Sequence, residues 1–269
     1  MEESISDLAD ALALEPREHL SLVGGGGKTT LMFSLAHELR QKGKQVITST
    51  TTKIWHHEAL SSDCIVFTRS DEAWRHRLRE RLQIHGHLFV AQDLLDSGKV
   101  KGISPSLADE LYREKRIDYL LVEADGSAGH PVKAPDEHEP VIPSSVTKVV
   151  ALLGLEAVGE KFGAEIVFRV DRFRKLTGLT PGQKLTPSIL AKLFLDPRGV
   201  FKGTPPSAKR VAFLNKLDLL VEEQEARDLA DLIMGNTAKQ VDRVVIGSVT
   251  KGIYIIPEGN NERYLREDR

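Results

Sequence analysis

Short apolar runs alternate with longer amphipathic segments along most of the chain. Apolar runs typical of buried β-strands occupy residues 20–23, 45–48, 64–68, 88–91, 117–122, 147–153, 209–214 and 243–246. Helical periodicity predicts helices over residues 4–14, 31–43, 71–84 (capped by Ser70), 105–115 (capped by Ser104), 188–195 and 222–234. Strands that alternate with helices in this way favour a mostly parallel, doubly wound α/β sheet flanked by helices.

The alternation continues through the chain, so residues 1–269 are predicted to form a single domain. Residues 156–203 interrupt the pattern, because they carry helical periodicity without clear strands. In this stretch Thr186 and Pro187 begin a helix, since proline is favoured in the first helical turn. The segment is therefore predicted to be a helical insertion.

The junction between the first strand and its helix contains four consecutive glycines. Residues 20–30 read LSLVGGGGKTT, so an apolar strand leads into a glycine loop that opens a helix. Glycines allow backbone N–H groups to turn toward an anion, and the helix start adds its positive end. The spacing, G-x-x-G-K-T-T, is shorter than the usual phosphate loop, but its strand–loop–helix setting favours phosphate binding over an ordinary turn and predicts a P-loop NTPase-like fold. The residues assigned to phosphate binding are Gly24, Gly25, Gly26, Gly27, Lys28, Thr29 and Thr30, with Lys28 also assigned a catalytic role.

A second strand ends on acidic residues, in the manner of a Walker B element. The run IDYLLVEADG places Glu123 and Asp125 at the end of an apolar segment. Glu123, together with the Thr29 hydroxyl, is predicted to hold Mg²⁺ directly or through water, and both Glu123 and Asp125 are catalytic candidates. Gly126 occupies the place of a γ-phosphate-sensing glycine. The alternative is a strand that ends in a solvated acidic turn.

Two further polar segments are candidates for contact with a second substrate. The hydroxyl run at residues 49–52 and Lys53 follow a strand, so they are expected at the same sheet edge as the glycine loop. They could contact phosphate, metal or substrate, or they could start the helix that contains Trp55. The loop at residues 126–143 is rich in proline and titratable groups, which suits either ligand binding or a solvated loop. The candidates from both segments are Thr51, Lys53, Ser127, Lys133, His138 and Glu139.

A late strand ends in N-K-x-D, the base-reading motif of many GTPases. Asn215 would brace the loop, the Lys216 stem would lie against the base, and the Asp218 carboxylate would accept hydrogen bonds from guanine. The nucleotide is therefore predicted to be GTP or ATP, with GTP favoured, together with Mg²⁺.

Composition limits the class of partner. Lysine and arginine number 37 against 39 aspartates and glutamates, for a net charge of −2, which argues against nucleic-acid binding through bulk charge. No apolar run approaches the length needed to span a bilayer. The N-terminal segment is acidic and unlike a signal peptide, and the single cysteine, Cys64, suits a reducing compartment. A cytoplasmic location is expected, without a nucleic-acid or membrane partner.

The segments GGGGKTT, TSTTTK, VEADGSAGHPVKAPDEHEPVIP and LNKLDL, in this order, resemble the YqeC family over nearly the whole chain. The resemblance implies an accessory protein of selenium cofactor biosynthesis for selenium-dependent molybdenum hydroxylases. It also implies a selenium- or molybdopterin-related substrate and a client hydroxylase as partners. The positions that match are 24–30, 123–127, Lys133, His138, Glu139 and Pro140.

Three functions remain open from the sequence. The first is an NTP-hydrolysing accessory protein, which N-K-x-D favours. The second is an ATP-dependent enzyme that activates a substrate, because G-x-x-G-K-T-T is also the spacing of the Mur-type ligase loop. The third is a non-catalytic, nucleotide-gated module that delivers a cofactor to its client.

Overall fold

A computed structural model describes residues 3–69, 72–235 and 240–257 of the chain. The strands are, in chain order, β1 (Glu3–Ile5), β2 (Glu18–Gly24), β3 (Val46–Thr50), β4 (Lys53–Trp55), β5 (Ile65–Phe67), β6 (His87–Ala91), β7 (Asp93–Leu94), β8 (Lys99–Lys101), β9 (Tyr119–Glu123), β10 (Val132–Lys133), β11 (Lys148–Gly154), β12 (Val167–Phe168), β13 (Lys209–Asn215), β14 (Arg243–Ser248) and β15 (Ile253–Ile256). The helices are α1 (Leu8–Ala11), α2 (Lys28–Gln41), α3 (His56–Ala59), α4 (Trp74–His85), α5 (Pro105–Arg113), α6 (Val170–Thr177), α7 (Pro187–Leu195) and α8 (Glu223–Met234).

The main sheet has ten strands in the order β1-β15-β14-β13-β11-β2-β9-β3-β6-β5. The strands from β14 to β5 in this order run parallel, whereas β15 and β1 join the edge through antiparallel pairings. After β2 the chain first adds strands on the β9 side and later, with β11, β13 and β14, on the other side. This reversal confirms the predicted α/β, mostly parallel and doubly wound sheet.

Helices cover both faces of the sheet, and each face has its own apolar core. On one face, α2 contributes Leu31 and Leu35 to a buried cluster that includes Leu22. On the other face, α8 packs beside β13 and β14, while α4 and α5 pack beside β6 and β9. Strands buried on both faces read as continuous apolar runs, which is why the sequence pattern located them. No helix within the described ranges is long and apolar enough to span a membrane.

The segment between β11 and β13 contains two α-helices and one short strand. It contains α6 and α7, and α7 begins at Pro187 with the Thr186 side chain accepting a hydrogen bond from the N–H of Ile189. Phe173 and Phe194 join the same core as the central strands. However, β12 in this segment pairs with β10, so the prediction of a stretch without strands was wrong. The short strand was missed because two residues carry no periodicity.

Three other local predictions need correction. Residues 4–14 do not form one helix: β1 pairs with the distant β15 and only α1 is helical, because this edge pairing is non-local. Residues 53–55 form β4, which pairs with β8, and the predicted helix begins only after it, as α3, with Trp55 as its N-cap. The helix predicted over residues 71–84 begins at Trp74, and its predicted cap, Ser70, lies outside the described residues.

Candidate functional site

The four glycines form a tight loop between the central strand β2 and the start of α2. Gly26 has a φ of 81°, and a Cβ atom there would lie 2.2 Å from the Gly154 nitrogen, so only glycine fits. The N–H of Gly25 donates to the carbonyl of Leu152 and that of Gly26 donates to the carbonyl of His130, both over 3.0 Å. The loop is therefore fixed to the end of β11 and to the loop after β9.

Helix α2 opens directly into a large cleft. Its N-cap is Gly27, and among the described residues no side chain caps its first N–H groups. These donors and the positive end of the helix suit an anion. The cleft has a volume of about 1040 Å³ and is lined by Gly27, Lys28, Thr29 and Thr30 on this side.

Lys28 is held by the loop and by two acidic side chains. Its ammonium nitrogen donates to the carbonyl of Gly24 over 2.6 Å and lies 3.2 Å from Oδ1 of Asp125 and 3.7 Å from Oε1 of Glu123. Burial alone would lower the pKa of this lysine, but the carboxylates of Asp125 and Glu123 outweigh it and raise the pKa. The side chain is therefore a fixed positive charge at the mouth of the glycine loop.

Thr29 and Glu123 meet beside this lysine. The Thr29 hydroxyl donates to Oε2 of Glu123 over 2.8 Å, and burial raises the pKa of the Glu123 carboxyl despite the nearby Lys28. A hydroxyl and a carboxylate in contact at the start of a glycine-loop helix are the oxygen donors that Mg²⁺ takes together with phosphate and water. These two residues fit the predicted ion.

Asp125 joins the glycine loop to the loop after β9. Its Oδ2 accepts the N–H of Gly24 over 3.0 Å and lies 3.0 Å from the ammonium nitrogen of Lys133. Since its Oδ1 faces Lys28, the carboxylate touches cationic or N–H groups on both oxygens. Asp125 is thus placed to orient Lys28 and the first glycine.

The loop after β9 is partly built into the site. Lys133 is buried and also pairs with Glu139, whose carboxylate in turn accepts from the guanidinium of Arg169. Burial would raise the pKa of Glu139, but the Arg169 and Lys133 cations outweigh it and lower the pKa. A chain of alternating charges therefore runs from Lys28 through Asp125, Lys133 and Glu139 to Arg169.

Arg169 was not among the predicted site residues. It lines the cleft and has a φ of 66°, an uncommon backbone conformation for a residue with a side chain. Its position at the start of α6 brings the inserted segment against the glycine-loop site. Nothing in the sequence distinguishes Arg169 from Arg172 and Arg174, which follow within five residues.

The structure places the predicted substrate-loop residues in three settings. Thr51, Lys53, Ser127 and Glu139 line the cleft, as does Gly126, whereas Lys133 is buried and is not one of the cleft-lining residues. His138 is exposed and is not among the residues that line the cleft. The charged residues of this loop are therefore paired within the protein, Lys133 with Asp125 and the acidic residues with arginines near the start of α6.

The N-K-x-D residues lie at the end of β13. The amide nitrogen of Asn215 donates to the carbonyl of Gly26 over 2.8 Å, and its amide oxygen accepts from the N–H of Val249 over 3.1 Å, so Asn215 braces the glycine loop. Lys216 lines the cleft and pairs with Glu156. Asp218 is exposed in a 3₁₀ turn and is not one of the cleft-lining residues.

Comparison with known proteins gives the family. A family model described as YqeC protein matches residues 20–171, more than half of the chain. YqeC of Escherichia coli (strain K12) is 40% identical over 198 residues, which cover 73% of this chain and 75% of that protein. The chain belongs to the YqeC family.

Comparison with solved structures gives matches at low identity. FtsY from the chloroplast of Physcomitrella patens is 14% identical with a TM-score of 0.46, and the match covers 97% of this chain and 69% of that one. The hydrogenase maturation factor HypB from Archaeoglobus fulgidus is 13% identical with a TM-score of 0.37, over 97% of this chain and 95% of that one.

Most of the candidate site residues lie within the part of the chain that the family model matches. Residues 20–171 contain the glycine loop, the acidic end of β9, Lys133, Glu139 and Arg169. The N-K-x-D turn at residues 215–218 lies outside the match. The charged network around Lys28 is therefore contained in the family segment, whereas the residues predicted to read the base lie beyond it.

Proposed function

We propose that this YqeC-family protein binds a nucleoside triphosphate with Mg²⁺ and hydrolyses it as an accessory protein of selenium cofactor biosynthesis for molybdenum hydroxylases. Nucleotide binding and hydrolysis are supported by one observation: Lys28, Thr29 and Glu123 meet at the start of α2, inside a large cleft. A buried lysine, a hydroxyl and a carboxylate beside a glycine loop provide charge for phosphate and oxygens for Mg²⁺.

The residues have distinct roles in this proposal. Lys28 and the first N–H groups of α2 bind the terminal phosphates and stabilise the charge that develops on them during transfer. Thr29 and Glu123 would hold Mg²⁺, which would neutralise charge on the phosphate oxygens. Asp125 keeps Lys28 and the glycine loop in place through its contacts to both.

Hydrolysis is tested with the purified full chain alone. Phosphate release from GTP and ATP is measured with Mg²⁺, beside Lys28→Ala as the site variant and Lys115→Ala, an exposed lysine outside the cleft, as the control. Turnover by the wild type and the control, but not by Lys28→Ala, supports the proposal. Tight nucleotide binding without turnover would instead favour a nucleotide-gated delivery module.

A second candidate is an enzyme that uses the nucleotide to activate a substrate. The shape of the cleft favours this candidate, because the cleft extends beyond the phosphate-binding residues to Lys53 and Trp55 on β4 and Lys101 on β8. Turnover that begins only when a cosubstrate is added would support this candidate over basal hydrolysis.

The selenium role derives from the family resemblance and needs a test in cells. In a strain that lacks the gene, the amount of ⁷⁵Se in its molybdenum hydroxylases is compared with that after complementation by the wild type or Lys28→Ala. We expect the wild type to restore the label and Lys28→Ala to fail. Equal labelling in the deletion strain and its parent would remove the selenium role without affecting the nucleotide proposal.

A further inference from the structure

One wall of the cleft is a small three-stranded sheet with a cationic face. Its strands are ordered β4-β8-β7 and pair antiparallel. Lys53 lies opposite Lys101 and Trp55 lies opposite Lys99, so the four side chains share one face. Ile54 and Val100 alternate with them and are buried. The buried pair fixes the orientation of the sheet, with its lysines on the side away from the core.

This face lines the same cleft as the glycine loop. Lys53, Lys99, Lys101 and Trp55 all contribute to its lining. The backbone next to Lys101 is held close to β3, because a Cβ atom at Gly102 would lie 2.0 Å from the carbonyl oxygen of Thr50. The lysines are therefore carried by a fixed part of the site, in the same cleft as Lys28.

Two carboxylates lie near the three lysines of this wall: Asp93, which is opposite Lys101 on β7, and Glu58. Within the described ranges, Lys53 and Lys101 form no ion pair, and Lys99 lies 4.5 Å from the centre of the Trp55 ring. Glu58, which also lines this wall, accepts the N–H of Trp55 over 2.8 Å. Three lysines in a concave wall of a chain with net charge −2 form a local excess of positive charge.

We infer that this wall is a second anion site, distinct from the glycine loop, and that it binds a phosphate-bearing small molecule beside the nucleotide. Lysines act on phosphate as point charges, whereas carboxylate recognition favours the forked guanidinium of arginine, and this wall carries lysines. The concave shape and the volume of about 1040 Å³ suit small molecules rather than a protein surface. The inference rests on the proposed function only in naming the nucleotide as the neighbour.

The test uses inorganic phosphate as the probe. The full chain, labelled with ¹⁵N and saturated with Mg²⁺ and the β,γ-imido analogues of GTP or ATP, is titrated with phosphate and followed by NMR. We expect shifts confined to residues 53–55 and 99–104 in the wild type. In Lys53→Gln/Lys101→Gln the apparent Kd should rise at least about tenfold, because two converging charges are lost.

A matched double variant separates a specific site from bulk charge. Lys115→Gln/Lys251→Gln removes two exposed lysines that do not line the cleft, and it should leave the phosphate Kd unchanged. Equal weakening in both double variants would overturn the inference, as would the absence of phosphate-induced shifts in this wall. A loss of nucleotide affinity in Lys53→Gln/Lys101→Gln would also overturn it, since the lysines would then belong to the nucleotide site.

The second anion site can also be tested separately from the proposed function. If the wild type binds no nucleotide, the phosphate titration is repeated with Lys28→Ala, in which the glycine loop lacks its charge. Phosphate shifts at residues 53–55 and 99–104 in that variant support the second site by itself. Their absence there overturns the inference as well.

Discussion

The ammonium nitrogen of Lys133 lies 3.0 Å from Oδ2 of Asp125, and the lysine side chain is fully buried. Lys133 comes from a loop rich in proline and charge, whereas Asp125 follows the central strand β9. The pair connects that loop to the glycine loop, because Asp125 also accepts the N–H of Gly24.

Lys133→Met should destabilise the fold strongly. The substitution leaves the carboxylates of Asp125 and Glu139 without their shared cation, and breaking a buried pair costs about 3–5 kcal/mol. Urea denaturation measures the free energy of unfolding, with Lys115→Met as the exposed control. In the double variant with Asp125→Asn the loss should be less than additive. Additive losses would show that the two side chains do not interact.

Lys28→Ala should weaken nucleotide binding by about tenfold to a hundredfold or more, the effect of losing a charge-assisted hydrogen bond to phosphate. The fold should survive, because Asp125 keeps Lys133 as a cationic partner. Fluorescence titration with a labelled nucleotide measures the affinity, and circular dichroism checks the fold. A folded Lys28→Ala variant with wild-type affinity would contradict the assignment of the glycine loop.

The dependence of nucleotide binding on Mg²⁺ should be set by Thr29 and Glu123. Thr29→Val and Glu123→Gln each remove an oxygen donor, so the Mg²⁺ concentration for half-maximal nucleotide binding should rise about tenfold or more. Glu165→Gln, which changes an exposed carboxylate outside the cleft, should leave it unchanged. The same Mg²⁺ dependence in all of these variants would rule out this pair as the metal site.

Guanine nucleotides should bind better than adenine nucleotides by about tenfold to a hundredfold, because Asp218 can accept two hydrogen bonds from guanine and none in the same place from adenine. Competition between GTP and ATP for a labelled analogue measures the ratio, and Asp218→Ala should abolish the preference. Equal affinities of the wild type for GTP and ATP would contradict base recognition by Asp218. Asn215 would keep its observed role, which is to donate a hydrogen bond to the carbonyl of Gly26.

Acid should destabilise the protein through two buried histidines. Burial lowers the pKa values of His19 and His87 from 6.5 to about 4, so between these values the unfolded chain binds more protons than the folded one. Stability is therefore expected to fall as the pH drops from 6.5 to 4, by up to about 3 kcal/mol per histidine.

The histidine prediction is checked by measuring unfolding free energy against pH. His87→Gln retains a side-chain partner for the Thr48 hydroxyl but does not titrate, so the slope between pH 6.5 and 4 should become smaller. The exposed residue His138 provides the control, and His138→Gln should keep the wild-type slope. If both variants keep that slope, His87 does not contribute to acid sensitivity.

The alternation of strands and helices and the position of the glycine loop could be predicted from the sequence alone. Both depend on neighbouring residues: a strand buried on both faces is an apolar run, and a turn with positive φ requires glycine at positions such as Gly26. The meeting of Thr29 with Glu123 was also predictable, because the carboxyl ends of parallel strands share one edge of the sheet.

Which charged side chains pair, and which of them face the cleft, could not be predicted without the folded structure. Lys133 and Lys53 were both candidates for substrate contact, yet the first is buried against Asp125 and the second lines the cleft without an ion pair in the described part of the chain. The distinction depends on the β4–β8 pairing and on the position of the loop after β9. Arg169 likewise reaches the site only because α6 packs against that loop. Contacts between residues distant in the chain leave no local periodicity, so their partners emerge only when the chain is folded.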